Sequence, residues 1–325
     1  METLIHLSPV VSETQDEVTS TKENQFITAN TESISFDDLK SKCIIPVFRD
    51  NESTISHPEF IQAVLYAAQS YFKRESFSNP AVRVSHPIKG RTPEAIGKPV
   101  EMLLDREKTL YYERCAWITE IPSIRETVNG NELSLTVGGV KSYQWDNLYS
   151  AKREEKFSIF IGFKNKVCCN LCIWTDGFKA EIKARSVNEI VQEAFTLFSN
   201  FRPELQISSM SGLGEDYLTE HQFAQLVGRS RLYQFLPAKI KKEIPDVLPL
   251  MDSQISTVTR DYYSDKSFCR TADGNIDLWK LYNLFTGANK SSYIDTFLSR
   301  GVNSHLFIQG LQNALKTGSE HWWLS

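Results

Sequence analysis

Between residues 109 and 183 apolar side chains recur at every second position, and from residue 186 onward at every third or fourth. This switch of period constrains the chain more than any other feature. Alternation lines one face of a pleated strand, whereas the longer spacing lines one stripe of a helix. "LYYERCAWITEI" alternates, and "SIRETVNGNELSLTVGGVKSY" has a hairpin pattern with Asn129-Gly130 at the tight turn, where positive φ is needed. "FSIFIGF", "KVCCNLCIW" and "FKAEIKA" extend the series. Five or more mainly antiparallel strands are predicted.

Helical patterns bracket this region. "SHPEFIQAVLYAAQSYFKRES" opens on a capping box of Ser56 and Glu59 with Pro58 in the first turn, and Phe60, Val64, Ala68 and Tyr71 share a face. Further on, Ser186 with Glu189 and Thr219 with Gln222 make two more capping boxes. "ISTVTRDYY", "IDLWKLYNLFTG" and "SHLFIQGLQNALK" supply later helices. The predicted fold is α+β: a central, mainly antiparallel sheet flanked by helices, with a helical C-terminal half. Residues 1–31 read as a flexible acidic tail pinned by Phe26 and Ile27, 32–185 as a sheet-bearing α+β region, and 186–325 as a helical region packed on the sheet. The two larger regions are expected to form one cooperative domain.

Charge narrows the functional classes. Residues 1–40 carry eight acidic and two basic groups, leaving 32 acidic and 34 basic residues in the rest. The body is nearly neutral, so nucleic-acid binding must rest on a local patch rather than on a whole-molecule field. The start has no basic region ahead of an apolar core, and no run reaches the roughly 20 apolar residues that cross a bilayer. The expectation is a cytoplasmic protein without a membrane partner, whose six cysteines stay reduced.

Two basic segments are candidates for such a patch. Residues 79–98 and the Pro99 that follows hold four prolines and two glycines and read as loop. That loop carries Arg83, Lys89, Arg91 and Lys98 against Glu94. The helix in "QLVGRSRLYQFLPAKIKK" adds Arg229, Arg231, Lys239, Lys241 and Lys242. Basic groups beside a sheet can follow a phosphate backbone, although charge in loops is often only solvation. A third candidate is "FTGANKSSYIDTF", where Lys290, Ser291 and Ser292 precede a helix and resemble a phosphate-binding turn, or more plainly a turn with Ser291 or Ser292 as N-cap and Asp295 helping.

Half of the cysteines lie in "KVCCNLCIW". On an extended strand over 166–174, Cys169 and Cys172 point to opposite faces, and Cys168 and Cys172 sit about 13 Å apart. Neither pair then chelates an ion, and buried structural thiols are the expected reading, with no metal and no cofactor. The chain contains no Gly-x-Ser-x-Gly or His-Glu-x-x-His signature, and an enzyme is the less favoured class. Trp322 and Trp323 are expected to anchor the C-terminal end.

The strings "ENQFITANT", "RVSHPIKGR", "RETVNGNELSLTVGGV", "FIGFKNKVC", "QFAQLVGRSRLYQFLP" and "LWKLYNLFTGANKSSYIDTF" together resemble an uncharacterised Bacteroidetes family, a domain of unknown function, over almost the whole chain. The last helical motif and the cysteine-bearing segment are also similar to a broader family of phage- and plasmid-associated proteins. The resemblance implies association with conjugative elements and prophages and supplies no catalytic residues. The leading expectation is a non-enzymatic accessory protein of a mobile element that contacts DNA or RNA, single strands included. The alternatives are a protein-interaction or host-countering factor that uses the acidic tail, and an enzyme acting on a phosphate-bearing ligand at Lys290 and Ser291.

Overall fold

The computed structural model describes residues 25–45, 54–146, 154–244, 247–248 and 250–324. Most of the acidic tail, residues 1–24, lies outside them. In chain order come β1 (Glu32–Ile34), α1 (Phe36–Lys42), α2 (His57–Tyr71), β2 (Ala81–Arg91), β3 (Lys108–Val128), β4 (Asn131–Ser142), β5 (Glu155–Asn165), β6 (Leu171–Cys172) and β7 (Phe178–Ala184). Then follow α3 (Val187–Asn200), α4 (Pro203–Gly212), β8 (Tyr217–Leu218), α5 (Glu220–Tyr233), α6 (Ala238–Lys241), α7 (Asp252–Ser264), β9 (Ile276–Asp277), α8 (Leu278–Asn289) and α9 (Ile294–Thr317).

The α+β expectation holds. β1 to β6 pair in sequence order, every pair antiparallel, and β7 joins the outer edge of β5 beside β6. Asn129 and Gly130 both take positive φ at the β3–β4 turn, 47° and 79°, as a two-residue hairpin loop requires. The two alternating runs read as separate strands are one 21-residue strand, β3, whose register slips between Ile121 and Arg125 around Pro122.

Alternation divides the sheet between two packing layers. Cys115, Trp117, Phe157, Ile159 and Ile161 enter the larger core with α2, α3 and the later helices, whereas Ala116, Ile118 and Phe160 enter a smaller one against α9. α2 begins with the full Ser56–Glu59 capping box and buries Phe60, Val64 and Ala68 on the sheet, although Tyr71 stays exposed. Gly139 permits this close seating: a Cβ there would stand 2.6 Å from the Phe60 ring and 2.7 Å from the Ser158 carbonyl. Phe26 and Ile27 do pin the N-terminal segment. They are buried between α9 and the smaller sheet face, and the Thr28 and Ala29 amides donate to the Lys290 carbonyl. Among the described residues no helix is long and apolar enough to cross a membrane.

Two expectations are corrected. Residues 81–91 form a strand, not a loop. β1 covers β2 only from Val82 to Val84, so Pro87 falls where the outer edge is open, and His86 absorbs the bend at φ 57°. The cysteine segment does not run extended either. Lys166 to Cys168 form a turn, Cys169 takes φ 57°, and only Leu171 and Cys172 pair with β5. The cause is Asn165, whose side-chain oxygen accepts the Val167 amide at 2.9 Å while its carbonyl accepts the Cys169 amide at 2.8 Å. Burial raises the Cys168 thiol to about 11 and the Cys172 thiol further, so both remain protonated. Among the described residues no group of three or more His, Cys, Asp or Glu side chains is placed to hold a metal ion.

Candidate nucleic-acid interface

α5 starts from a complete Thr219–Gln222 capping box and buries Phe223 and Leu226. The Phe223 ring stacks on Tyr262 of α7 with centroids 3.9 Å apart, which fixes the rotation of the helix. The opposite side and the connection to α6 then project outward. Residues 229–242 hold five cations (Arg229, Arg231, Lys239, Lys241 and Lys242) and no carboxylate. Within this stretch Phe235 is 79% exposed and Leu232 62%, and Ile240 is exposed as well. Pro237 caps α6 and ends the preceding turn, so Phe235 is carried on a short bend rather than folded back into the core.

Aromatic rings hold two of these cations. The Arg229 guanidinium lies 4.7 Å from the Trp322 ring centre. Lys241 sits 5.4 Å from the Tyr233 ring centre and donates to the Gln234 carbonyl at 2.8 Å. Trp323 is fully buried against Tyr233 and Phe307, so the C-terminal tryptophans do anchor the chain end beside this surface. Arg231 is engaged with Asp252 at 3.3 Å and Ser256 at 2.6 Å. Lys239 and Lys242 are exposed.

The other basic candidates are used differently. Arg83 is buried on β2 and donates to the Thr31 carbonyl at 2.7 Å and to its hydroxyl at 2.8 Å, which clamps the segment leading into β1. Lys89 is exposed on the open part of β2. Arg91 and Lys98 come together: the Arg91 guanidinium donates to the Lys98 carbonyl, and Lys98 pairs with Glu107. At the α8–α9 turn, Lys290 donates to the Cys168 carbonyl, Ser291 to the Ala288 carbonyl, and Ser292 to the Asn289 side chain. Gln254 and Arg300 also bond to Ser292. The N-cap of α9 is Tyr293, without a side-chain bond, and Asp295 faces Arg114 at 3.0 Å instead.

Residues 9–325 match the model of the family described as "Domain of unknown function, B. Theta Gene description (DUF3871)". The chain belongs to this family. Comparison with curated proteins and with solved structures gave no match.

The DUF3871 chain also holds a buried charged cluster that the sequence reading passed over. Lys141 of β4 is fully buried, with Glu155 at 2.6 Å and Asp146 at 3.5 Å, and its ammonium lies 3.9 Å from the Phe157 ring centre. Glu155 also accepts the Ile55 amide and Asp146 the Lys156 amide, so these carboxylates tie the entry to α2 and the start of β5 to β4. Burial lowers the Lys141 pKa, and the two carboxylates oppose that. His57 stacks on Tyr143, and burial holds the imidazole neutral with its pKa near 3. The only signal in the sequence was a lysine inside an otherwise small and apolar run, "VGGVKSY". A cavity of about 150 Å³ lies beside the β3–β4 turn, lined by Asn129, Asn131, Asp277 and Lys280 among others.

Proposed function

We propose that this DUF3871 protein is a non-enzymatic accessory protein that contacts nucleic acid through residues 229–242, favouring single strands, in the service of a mobile element. The carrying observation is Phe235: a phenyl ring 79% exposed within a stretch of five cations and no carboxylate. A ring left in water beside lysines suits base stacking, and cations on either side suit the phosphate backbone. The mobile-element role rests on the resemblance of the sequence strings alone. An enzyme acting at Lys290 and Ser291 has less support, because the donors of that turn are taken up by protein acceptors.

Fluorescence anisotropy with a labelled mixed-sequence single strand tests this reading. The affinity should fall with salt at a log–log slope of about −0.7 for each phosphate neutralised. Phe235→Ala should weaken binding roughly 5- to 150-fold, as for the loss of about 1–3 kcal/mol of stacking. Lys239→Ala with Lys242→Ala should flatten the slope by about 1.4. Binding that ignores salt, or that survives all three substitutions unchanged, refutes the proposal.

A further inference from the structure

The connection between β2 and β3 carries a second unexplained surface, independent of the basic one. Ile96 is 75% exposed, Met102 69% and Val100 66%, and Leu104 of the same connection and Ile88 near the end of β2 are exposed as well. Isolated exposed apolar residues are ordinary, but five large ones within 17 positions are a concentration that calls for a partner.

The connection is built rather than slack. Its 3₁₀ turns (Pro93–Ala95, Val100–Met102 and Asp105–Glu107) are closed by Thr92 donating to the Glu107 carbonyl at 2.9 Å and by the Lys98–Glu107 pair. Ala95 is fully buried and roots the first turn. The framework is satisfied inside while the large side chains are left in water, so presenting them costs little ordering on contact.

Charge identifies the partner. Residues 88–108 hold five cations and four carboxylates, and the Lys98–Glu107 and Lys108–Asp105 pairs neutralise four of those nine groups. A phosphate backbone or an anionic membrane gains little from so balanced a surface. A patch that meets its own copy about a two-fold axis needs this balance, because any excess of one sign would repel itself. Beyond Val84 the outer edge of β2 carries Pro87 and Lys89, which blunt strand-to-strand addition, so the contact is made by side chains. We propose that the β2–β3 connection is an isologous dimer interface, with Ile96, Val100 and Met102 at its centre.

Sedimentation equilibrium of the full chain from about 1 to about 100 µM tests the proposal. The expected mass at the upper end is twice the 37.2 kDa of one chain. Ile96→Asp combined with Met102→Lys should halve that mass and leave the urea midpoint unchanged, and Val100→Asp alone should do the same. A wild-type chain that stays monomeric throughout, or a dimer that survives these substitutions, overturns the proposal. Co-sedimentation with phosphatidylcholine–phosphatidylglycerol vesicles that the substitutions abolish overturns it too, by assigning the patch to lipid. Oligonucleotide binding through residues 229–242 is read separately and does not depend on the outcome.

Discussion

Lys141→Met should be among the most damaging single substitutions in this chain. Methionine matches the lysine in length, so the change removes the ammonium with little change in volume. It leaves Glu155 and Asp146 buried without the cation that stands 2.6 Å and 3.5 Å away, and it removes the ammonium facing the Phe157 ring. Breaking a buried pair by removing one partner costs about 3–5 kcal/mol. Each carboxylate keeps a backbone amide donor, which places the expected loss towards the lower end, about 3 kcal/mol. Urea unfolding at 25 °C, with a slope of roughly 3 kcal/mol per molar for a chain this size, should show the midpoint fall by about 1 M. Glu155→Gln added to Lys141→Met should recover part of the loss, since no unpaired anion then remains at that position. The deficit should also shrink from pH 8 to pH 5. Burial already raises the folded pKa of Asp146, and without the lysine that opposes it the pKa rises further. A carboxyl raised in the folded state contributes its stability below its unfolded pKa of about 4 and loses it as pH rises through the folded value. A loss under about 1 kcal/mol, no larger than that of the exposed Lys89→Met, would refute the reasoning.

Two further outcomes follow from the sheet. Burial works to raise the pKa of Glu120, but Lys164 at 2.6 Å, Lys166 at 3.1 Å and the Ser134 hydroxyl at 2.7 Å hold it near 2. A depressed carboxylate contributes stability above its unfolded pKa and loses it as pH falls through the folded value, so up to about 3 kcal/mol should disappear between about pH 5 and pH 2. Glu120→Gln should flatten that limb in acid titrations followed by circular dichroism. Gly139→Ala drives a methyl into the Phe60 ring and the Ser158 carbonyl and should cost about 1–3 kcal/mol in the same urea assay. Compensation by Phe60→Leu would locate the clash.

Strong local chemistry made much of the fold legible. Ser56–Glu59 and Thr219–Gln222 announced their helices because each side chain caps the other's backbone, and Asn129-Gly130 announced its hairpin because few other pairs tolerate two positive φ values. Position 87 misled because proline argues against a strand only where both edges are paired. The turn at 166–169 was hidden because a side chain, Asn165, makes it, without glycine or proline. In the candidate interface, the cations of α5 were visible as composition, but the exposure of Phe235 was not. That depends on where α6 restarts after Pro237. Lys141 could not be read as buried, because its partners come from Asp146 and Glu155, beyond the end of its own strand.

Ile27 lies under α9, and the neighbouring Thr28 amide closes on a carbonyl 262 positions later. At 5–20 residues per second of synthesis, roughly 13–50 s separate the emergence of the two partners from the ribosome. From the synthesis of Phe160 until α9 has been made, Ala116, Ile118, Val140 and Phe160 have only the Phe26–Ile27 segment as cover, so the nascent sheet carries one partly bare, sticky side. A product truncated before α9 would keep that side partly bare, which marks such chains for chaperones and proteases.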